Sequence, residues 1–154
     1  MDDIILSNEF SNKKKNLQLS YEPHDILLNV DKSRIAEVLS NLLSNAVKFT
    51  SKGTITITVE RQQKQQQNDN KNMNSNGDKI SETMVIVSVL DTGQGIDARM
   101  LPRLFTKFAS ESYQGTGLGL FISKGIIEAH YGKIWGKNND NGIGATFSFS
   151  LPAM

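Results

Sequence analysis

The sequence contains no cysteine, only three prolines and only two histidines in its 154 residues. Without cysteine there can be no disulfide framework, no thiolate metal site and no cysteine nucleophile. An excess of charge is also absent, because the formal net charge is +1 and the lysines and arginines are dispersed. We therefore expect no nucleic-acid partner for this chain.

Long apolar runs are missing as well. No segment approaches the roughly 20 apolar residues that a membrane-spanning helix needs, and the N-terminus lacks the basic start of a signal peptide. We therefore expect no membrane segment in this chain and a cytoplasmic location. The apolar content of 38% and charged content of 21% are typical of an ordinary globular domain.

The apolar residues recur with strand and helix periods in turn. They predict strands at 17–21, 26–31, 54–60, 83–90, 133–139 and 145–152, and helices at 34–49, at 98–108 and from the glycine-rich stretch to Gly132. Trp135 and Phe147 are expected in the core. This order indicates an α/β protein, specifically a two-layer α/β sandwich with a mixed sheet and helices on one face.

The chain divides into a polar tail or linker at 1–16 and a single domain at 17–154 in this interpretation. Within the domain, the segment 61–82 ("RQQKQQQNDNKNMNSNGDKISE") is rich in glutamine and asparagine and almost free of apolar residues. Such a segment cannot bury apolar surface, so we predict an extended or disordered hairpin insertion there.

The helix predicted at 34–49 has a polar edge. At 100° per residue, Asn41, Asn45 and Lys48 fall within an arc of about 60° beside the apolar stripe. Two amides and an ammonium group so placed could hold a metal ion with its phosphates, because Mg²⁺ takes few protein ligands. Alternatively, the asparagines satisfy backbone groups and Lys48 lays its stem along the core edge. The helix by itself favours this second interpretation.

The segment "DTGQGID" follows an apolar strand. Asp91 stands at the carboxyl end of that strand, and Gly93 and Gly95 leave the next turn without side chains. An ionised carboxylate only accepts hydrogen bonds, so an amino or ring N–H group is its natural partner, and bare backbone lets a flat ring approach. An ordinary Asp-Thr-Gly turn explains the segment equally well.

The stretch "SYQGTGLGLFISKGII" places Gly115, Gly117 and Gly119 directly before a helix. The free N–H groups and positive dipole end of a helix suit a phosphate. A dinucleotide fingerprint is excluded by Leu120 and by the polar segment that stands where a strand is required. The sequence also lacks the Gly-Lys-Ser/Thr of a Walker loop. The stretch therefore still suits a phosphate, but it belongs to neither of the two commonest phosphate-binding folds.

Four motifs and an ending occur in order between residues 34 and 152: "NLLSNAVKF", "DTGQGI", "LFTKF", "GTGLGL" and "GATFSFSLP". Together they resemble the catalytic and ATP-binding domain of sensor histidine kinases, whose superfamily includes gyrase and the ninety-kilodalton heat-shock chaperones. The resemblance implies a Bergerat-type α/β sandwich that binds ATP between the first helix and a lid at 109–114.

The resemblance also implies roles for individual residues. Asn45 is the implied Mg²⁺ ligand with Asn41 beside it, and Lys48 lies near the phosphates, so Asn41 and Lys48 are the expected catalytic residues. Asp91 accepts from the adenine amino group, with Thr146 supporting that end. The other implied ATP-binding residues are Gly93, Gly95 and Ile96 at the base, Phe105 and Phe108 at the lid, and Gly115, Thr116, Gly117, Leu118, Gly119 and Leu120 at the triphosphate.

The reaction that the resemblance implies is transfer of the ATP γ-phosphoryl group to a histidine on a separate dimerisation domain, upstream of a response regulator receiver domain. Only 33 residues precede Arg34, too few for that domain, so we expect a monomeric fragment. The alternative is a regulatory nucleotide-binding module of the same fold without phosphotransfer.

Three positions depart from the pattern of the family. Asn41 stands where ATP-hydrolysing relatives look to have a glutamate base, so we expect little hydrolysis. Ser110 replaces the arginine often found just after the F box, and Tyr131 interrupts the usual His-Gly-Gly.

Overall fold

The computed structural model describes residues 16–64, 82–109 and 117–154. In these ranges, five strands and two α-helices follow one another, with a short 3-10 turn before the second helix. The strands are β1 (Asn16–Tyr21), β2 (Lys52–Lys64), β3 (Glu82–Asp91), β4 (Lys133–Asn138) and β5 (Ala145–Pro152), the helices α1 (Lys32–Phe49) and α2 (Gly119–Ala129), and the turn Leu101–Arg103.

The strands form one sheet in the order β1-β2-β3-β5-β4. β1 pairs with β2 in parallel, and the other three neighbouring pairs are antiparallel. The buried apolar side chains of both helices belong to one core cluster with those of the strands. The predicted α/β sandwich with a mixed sheet and helices on one face is confirmed.

Helix α1 begins because Asp31 caps it: its Oδ1 accepts a hydrogen bond from the Arg34 N–H at 3.1 Å. The buried face of the helix consists of Ile35, Val38, Leu39, Leu42 and Ala46. It packs on the alternate residues of the central strands, where Ile57 pairs with Val89 and Val87 pairs with Phe149. Burying each large aliphatic side chain contributes about 1.5–3 kcal/mol, so this face attaches the helix to the sheet.

The strand predicted at 26–31 is wrong. Residues 22–31 have an irregular backbone that joins β1 to the cap of α1. Ile26, Leu28 and Val30 are half-buried and pack against the core, so the alternation of apolar residues is real. The alternation arises because these side chains pack on the core, although their backbone is not part of any strand.

The predicted core position of Trp135 is also wrong, whereas Phe147 is buried as expected. Trp135 pairs with Ser148 across β4 and β5 and is 36% exposed, because its strand turns Ile134 and Gly136 to the helix side instead. The helix predicted at 98–108 is reduced to the three-residue turn Leu101–Arg103, whose second residue is a proline.

Five residues of the insertion predicted at 61–82 belong to strands. Its first four residues extend β2 and its last residue begins β3, with Arg61 opposite Val85 and Lys64 opposite Glu82. The reason is that ladder hydrogen bonds join backbone groups and therefore do not need apolar side chains. The remaining residues, 65–81, lie outside the described part of the chain.

Helix α2 ends three residues before Gly132, in a Schellman motif. The Gly132 N–H donates to the Ile127 carbonyl at 2.9 Å and the Tyr131 N–H to the Glu128 carbonyl at 3.0 Å. In this motif the left-handed position is normally a glycine, but here it is Tyr131, with φ at 62°. Tyr131 is 87% exposed, so its ring adds little packing in return.

We therefore expect Tyr131→Gly to stabilise the protein. A left-handed conformation costs a non-glycine residue about 1–2 kcal/mol, and the variant no longer has this cost. The greater conformational entropy of glycine in the unfolded chain offsets about 0.5–1 kcal/mol of the gain. The net gain of about 0.5–1 kcal/mol corresponds to a Tm increase of about 1–4 °C, measurable by thermal unfolding. Tyr131→Ala is the control, because it removes the ring but retains a Cβ; an equal increase in that variant would contradict the backbone explanation.

Candidate functional site

A cavity of about 460 Å³ lies between α1, the loop after β3 and the beginning of α2. Its size is within the range of sites for small molecules and cofactors. Nine of the residues singled out in the sequence line it: Asn41, Asn45, Lys48, Asp91, Gly95, Ile96, Gly117, Gly119 and Leu120. Further lining residues missed by the sequence analysis include Ser44, Gln94, Met100, Leu104 and Phe147.

One wall of the cavity is the polar edge of α1. Asn41, Asn45 and Lys48 all line the cavity, which is the arc expected from the helical period. The Lys48 ammonium lies 5.1 Å from the centroid of the Phe49 ring, a cation–π distance. This wall therefore offers amide groups and one positive charge to a ligand.

The Asn41 amide has a defined orientation. Its Nδ2 donates to the Gly119 carbonyl at 3.2 Å and to the Ser123 hydroxyl at 3.0 Å. Ser123 is fully buried on α2 and was missed by the sequence analysis. The contact joins the first helix to the first two turns of the second, next to the glycines of "GTGLGL".

The cavity is also lined by Asp91, which is only 5% exposed. One carboxylate oxygen, Oδ1, accepts from the Gly93 N–H at 2.9 Å and from the Ala145 N–H at 3.2 Å. These two donors satisfy that oxygen and hold the carboxylate in place. Among the described residues no donor is recorded for Oδ2, so this oxygen is available to a ligand.

Two asparagines that the sequence analysis missed hold the loop around Asp91. Asn138 forms a reciprocal pair with the backbone of Ile96, accepting its N–H at 2.7 Å and donating to its carbonyl at 2.9 Å. Asn139 donates to the Asp91 carbonyl at 3.0 Å. Both stand at the end of β4, more than 40 positions along the chain from the loop, and no sequence motif connects them to it.

Thr146 is not among the residues that line the cavity. Its hydroxyl donates to the Asn139 side-chain oxygen, so it reaches Asp91 only through Asn139. The reason is that β5 turns Ala145 and Phe147 toward the cavity and the residue between them away from it.

One glycine of "DTGQGID" lies apart from the cavity, and the other lines it. Gly93 does not line the cavity; a Cβ there would overlap the Phe49 carbonyl at the end of α1. The missing side chain thus lets the loop pack on the helix, and we had interpreted it as space for a flat ring. Gly95 does line the cavity.

The predicted lid residues are only partly described. Phe105 is half-buried and packs on the core, while Phe108 is 68% exposed. The Phe108 N–H donates to the Gly117 carbonyl at 2.9 Å, which ties the F box to the second glycine box. Neither phenylalanine lines the cavity, and nor does Leu118. Gly115, Thr116, Ser110 and the lid residues 111–114 lie outside the described residues.

The rim of the cavity includes an ion pair. Hydrogen bonds from the Arg99 side chain and then from its backbone N–H lower the pKa of Asp97 from 3.8 to about 2. The pair is local, with the Arg99 guanidinium 2.8 Å from a carboxylate oxygen. The carboxylate thus remains ionised far into the acid range.

We expect Arg99→Ala to raise the pKa of Asp97 from about 2 part of the way to 3.8, because the side-chain donors are lost and the backbone N–H remains. The folded pKa lies below the unfolded one. The pair therefore contributes stability above pH 3.8 that is lost as the pH falls through about 2. Carbon-detected NMR titration of the carboxyl group measures the change. Arg34→Ala, which breaks the Arg34–Glu37 pair on α1, should leave it unaltered; an equal shift there would contradict the assignment.

Within the described ranges, no helix combines the length and hydropathy required to cross a membrane. The same ranges contain no cluster of three or more histidine or acidic side chains suited to a metal ion.

Comparison with known proteins finds a matching family and similar sequences. A family model described as "Histidine kinase-, DNA gyrase B-, and HSP90-like ATPase" matches residues 30–154. The chain is 36% identical over 154 residues to the sensor protein KdpD of Clostridium acetobutylicum, covering 95% of this chain and 15% of that protein. It is 34% identical over 143 residues to the sensor protein FixL of Bradyrhizobium diazoefficiens, covering 92% and 25%. The chain thus spans a quarter or less of these curated relatives.

A solved structure is similar as well. The nucleotide-free catalytic domain of the histidine kinase ThkA superimposes with a TM-score of 0.66 at 33% identity, covering 91% of this chain and 80% of that one.

Proposed function

Because the chain belongs to the histidine kinase-, DNA gyrase B- and HSP90-like ATPase family, we propose that it binds ATP in this cavity and transfers the γ-phosphoryl group to a histidine. One observation carries the proposal: a single cavity is lined by Asp91 and by the polar edge of α1. These groups match the two ends of ATP, a base with an amino group and a chain of phosphates. In this proposal, residues 17–154 are the catalytic domain and 1–16 lead into it.

The base end is Asp91 with an apolar surround. An adenine amino group would donate to the free Oδ2, since the other oxygen already accepts two backbone N–H groups. The ring would pack against side chains from the loop, the 3-10 turn and β5, namely Ile96, Met100, Leu104 and Phe147. Burial of the ring among these groups supplies affinity, and the carboxylate supplies orientation.

The phosphate end is α1 facing the start of α2. Mg²⁺, when bound, neutralises charge on the phosphates. Asn45, with Asn41 beside it, is the residue whose amide oxygen would hold it, and Mg²⁺ normally takes few protein ligands when phosphates and water complete the set. The Lys48 ammonium and the N–H groups at the start of α2 hold the transferring group.

The acceptor is a histidine on a separate helical dimerisation domain. The bond between the γ-phosphorus and the bridging oxygen breaks, a bond forms from the imidazole nitrogen to that phosphorus, and ADP leaves. A response regulator receiver domain is the expected next acceptor. Transfer of this kind depends mainly on positioning and charge neutralisation, for which the cavity is suited.

The test mixes the chain with ATP, Mg²⁺ and a histidine-kinase dimerisation domain, and measures acid-labile phosphate on that domain. We expect transfer by the wild-type chain and its loss in Asn45→Ala. Clear ATP binding without any transfer would instead favour the regulatory module, which the serine at position 110 makes the second candidate. Absence of ATP binding would contradict both.

We expect little ATP hydrolysis by the chain alone. The Asn41 amide cannot take a proton from water, and its nitrogen is already bonded to the Gly119 carbonyl and to Ser123. Phosphate release by the purified chain measures the rate. Appreciable turnover that survives Asn41→Ala would show that another group activates water.

A further inference from the structure

We propose that Ser123 is a positioning residue that holds the Asn41 amide with its oxygen toward the bound nucleotide and its metal ion. This inference rests on the proposed function, because it assigns Ser123 a part in the same site. Ser123 itself is not among the lining residues; it acts through Asn41, which is.

The hydrogen bonds determine which amide atom points where. The Gly119 carbonyl can only accept, so the Asn41 atom 3.2 Å from it must be the nitrogen. The Ser123 hydroxyl lies 3.0 Å from the same nitrogen. An amide nitrogen has two N–H groups, and these two acceptors use both. Asn41 lines the cavity, so its oxygen is the atom left for a ligand there.

Because Ser123 is buried, its hydroxyl needs the hydrogen bond with Asn41 as much as the Asn41 amide does. Ser123 is 0% exposed, next to the apolar core at Ile127 on the same helix, so its hydroxyl has no access to solvent. A buried hydroxyl without a partner is costly, and Asn41 is the partner found for it across 82 positions of the chain. An apolar residue would suit the core at this position; the hydroxyl is explained by the amide that it orients.

Removing the hydroxyl should therefore affect the metal-dependent part of nucleotide binding more than folding. In Ser123→Ala the amide retains only the Gly119 carbonyl and gains freedom to turn, so its oxygen faces the cavity for less of the time. One neutral hydrogen bond of this kind corresponds to about a threefold to tenfold change in an equilibrium constant. Loss of Asn41 itself removes the oxygen, so Ser123→Ala should add nothing to Asn41→Ala.

The control is the serine pair on the other face of the sheet. The Ser88 and Ser148 hydroxyls lie 2.7 Å apart, and Ser148 is 4% exposed. Neither lines the cavity. Ser148→Ala thus removes a buried serine hydroxyl with a hydrogen-bond partner, as Ser123→Ala does, but at a distance from the site. Its effect on stability calibrates the structural cost of the same chemical change.

Two measurements test the proposal. The first is the NMR spectrum of the Asn41 side-chain amide in the ligand-free chain, where we expect Ser123→Ala to shift one Nδ2 proton and speed its exchange with water, while Ser148→Ala leaves both unchanged. The second is the ratio of the ATP affinity with Mg²⁺ to the ATP affinity with EDTA, measured by calorimetry. It is measured in the two serine variants, in Asn41→Ala and in the double variant that combines Asn41→Ala with Ser123→Ala. We expect the ratio to fall about threefold to tenfold in Ser123→Ala and to fall no further in the double variant than in Asn41→Ala.

The outcomes separate this inference from the proposed function. A wild-type chain that binds no ATP contradicts the proposed function, whereas normal binding with equal ratios in Ser123→Ala and Ser148→Ala overturns the role of Ser123 alone. An unchanged Asn41 amide spectrum in Ser123→Ala also overturns it. If alanine prevents folding, Ser123→Cys replaces it, because a thiol is similar in size and a weaker acceptor; an unchanged ratio in that variant has the same meaning.

Discussion

Asp91→Asn is expected to weaken ATP binding about a hundredfold, or roughly 2.7 kcal/mol. In the wild type, Oδ1 accepts from the N–H groups of Gly93 and Ala145, and in the proposed function the free Oδ2 accepts from the amino group of the base. An asparagine keeps its oxygen on those two donors, because its NH₂ group would otherwise face them. The NH₂ group then points into the cavity and presents donors to a donor, so a hydrogen bond is lost and a polar group is left unpaired.

Calorimetric titration with ATP measures the loss, and thermal unfolding establishes that the variant is folded. Asp97→Asn is the matched control, since Asp97 lines the same cavity but its carboxylate pairs locally with Arg99. We expect that control to change ATP affinity by no more than about twofold, because exposed ion pairs contribute little. Affinity for Asp91→Asn close to that of the wild type would show that the base does not bind this carboxylate.

Gly144→Ala is expected to destabilise the protein by about 3 kcal/mol, and more if the strands cannot adjust. Gly144 has φ at 76°, which costs a residue with a Cβ about 1–2 kcal/mol. The added Cβ would also overlap the Asp91 carbonyl, and overpacking against fixed backbone costs about 1–3 kcal/mol more. The overlap would displace Asp91, so nucleotide affinity should fall together with stability.

The same turn provides a control for this prediction. Gly142 has φ at 77°, and a Cβ placed on it meets no atom within 4 Å among the described residues. Gly142→Ala therefore carries the conformational cost without the overlap, and we expect a loss of only about 1–2 kcal/mol. Urea denaturation of both variants measures the difference. Equal losses would mean that the approach of Gly144 to Asp91 contributes nothing.

The spacing of the α1 residues made part of the site predictable. Asn41, Asn45 and Lys48 line one cavity because the helical period alone places residues three and four apart on one side. Asp91 was likewise recognisable, since a polar residue at the end of an apolar strand emerges at the edge of the sheet. In both cases a local, regular backbone connects the sequence to the position in space.

The supporting contacts were not predictable in this way. Ser123, Asn138 and Asn139 each bind a partner more than 40 positions away, and such distances are determined by how strands and helices are arranged. The misplaced residues have the same cause. A glycine at position 93 is compatible with a ring or with a helix end beside it, and only packing against Phe49 distinguishes the two.

The sequence by itself determined the family, the α/β class and the two groups that line the cavity, because motif order and the helical and strand periods are properties of local covalent geometry. Only the tertiary structure decided which atoms of those groups are free. Backbone donors of Gly93 and Ala145 take one oxygen of Asp91, and Gly119 and Ser123 take the nitrogen of Asn41. Hydrogen bonds form between atoms that folding brings together, so the chemistry left for the ligand is settled only when the chain is packed.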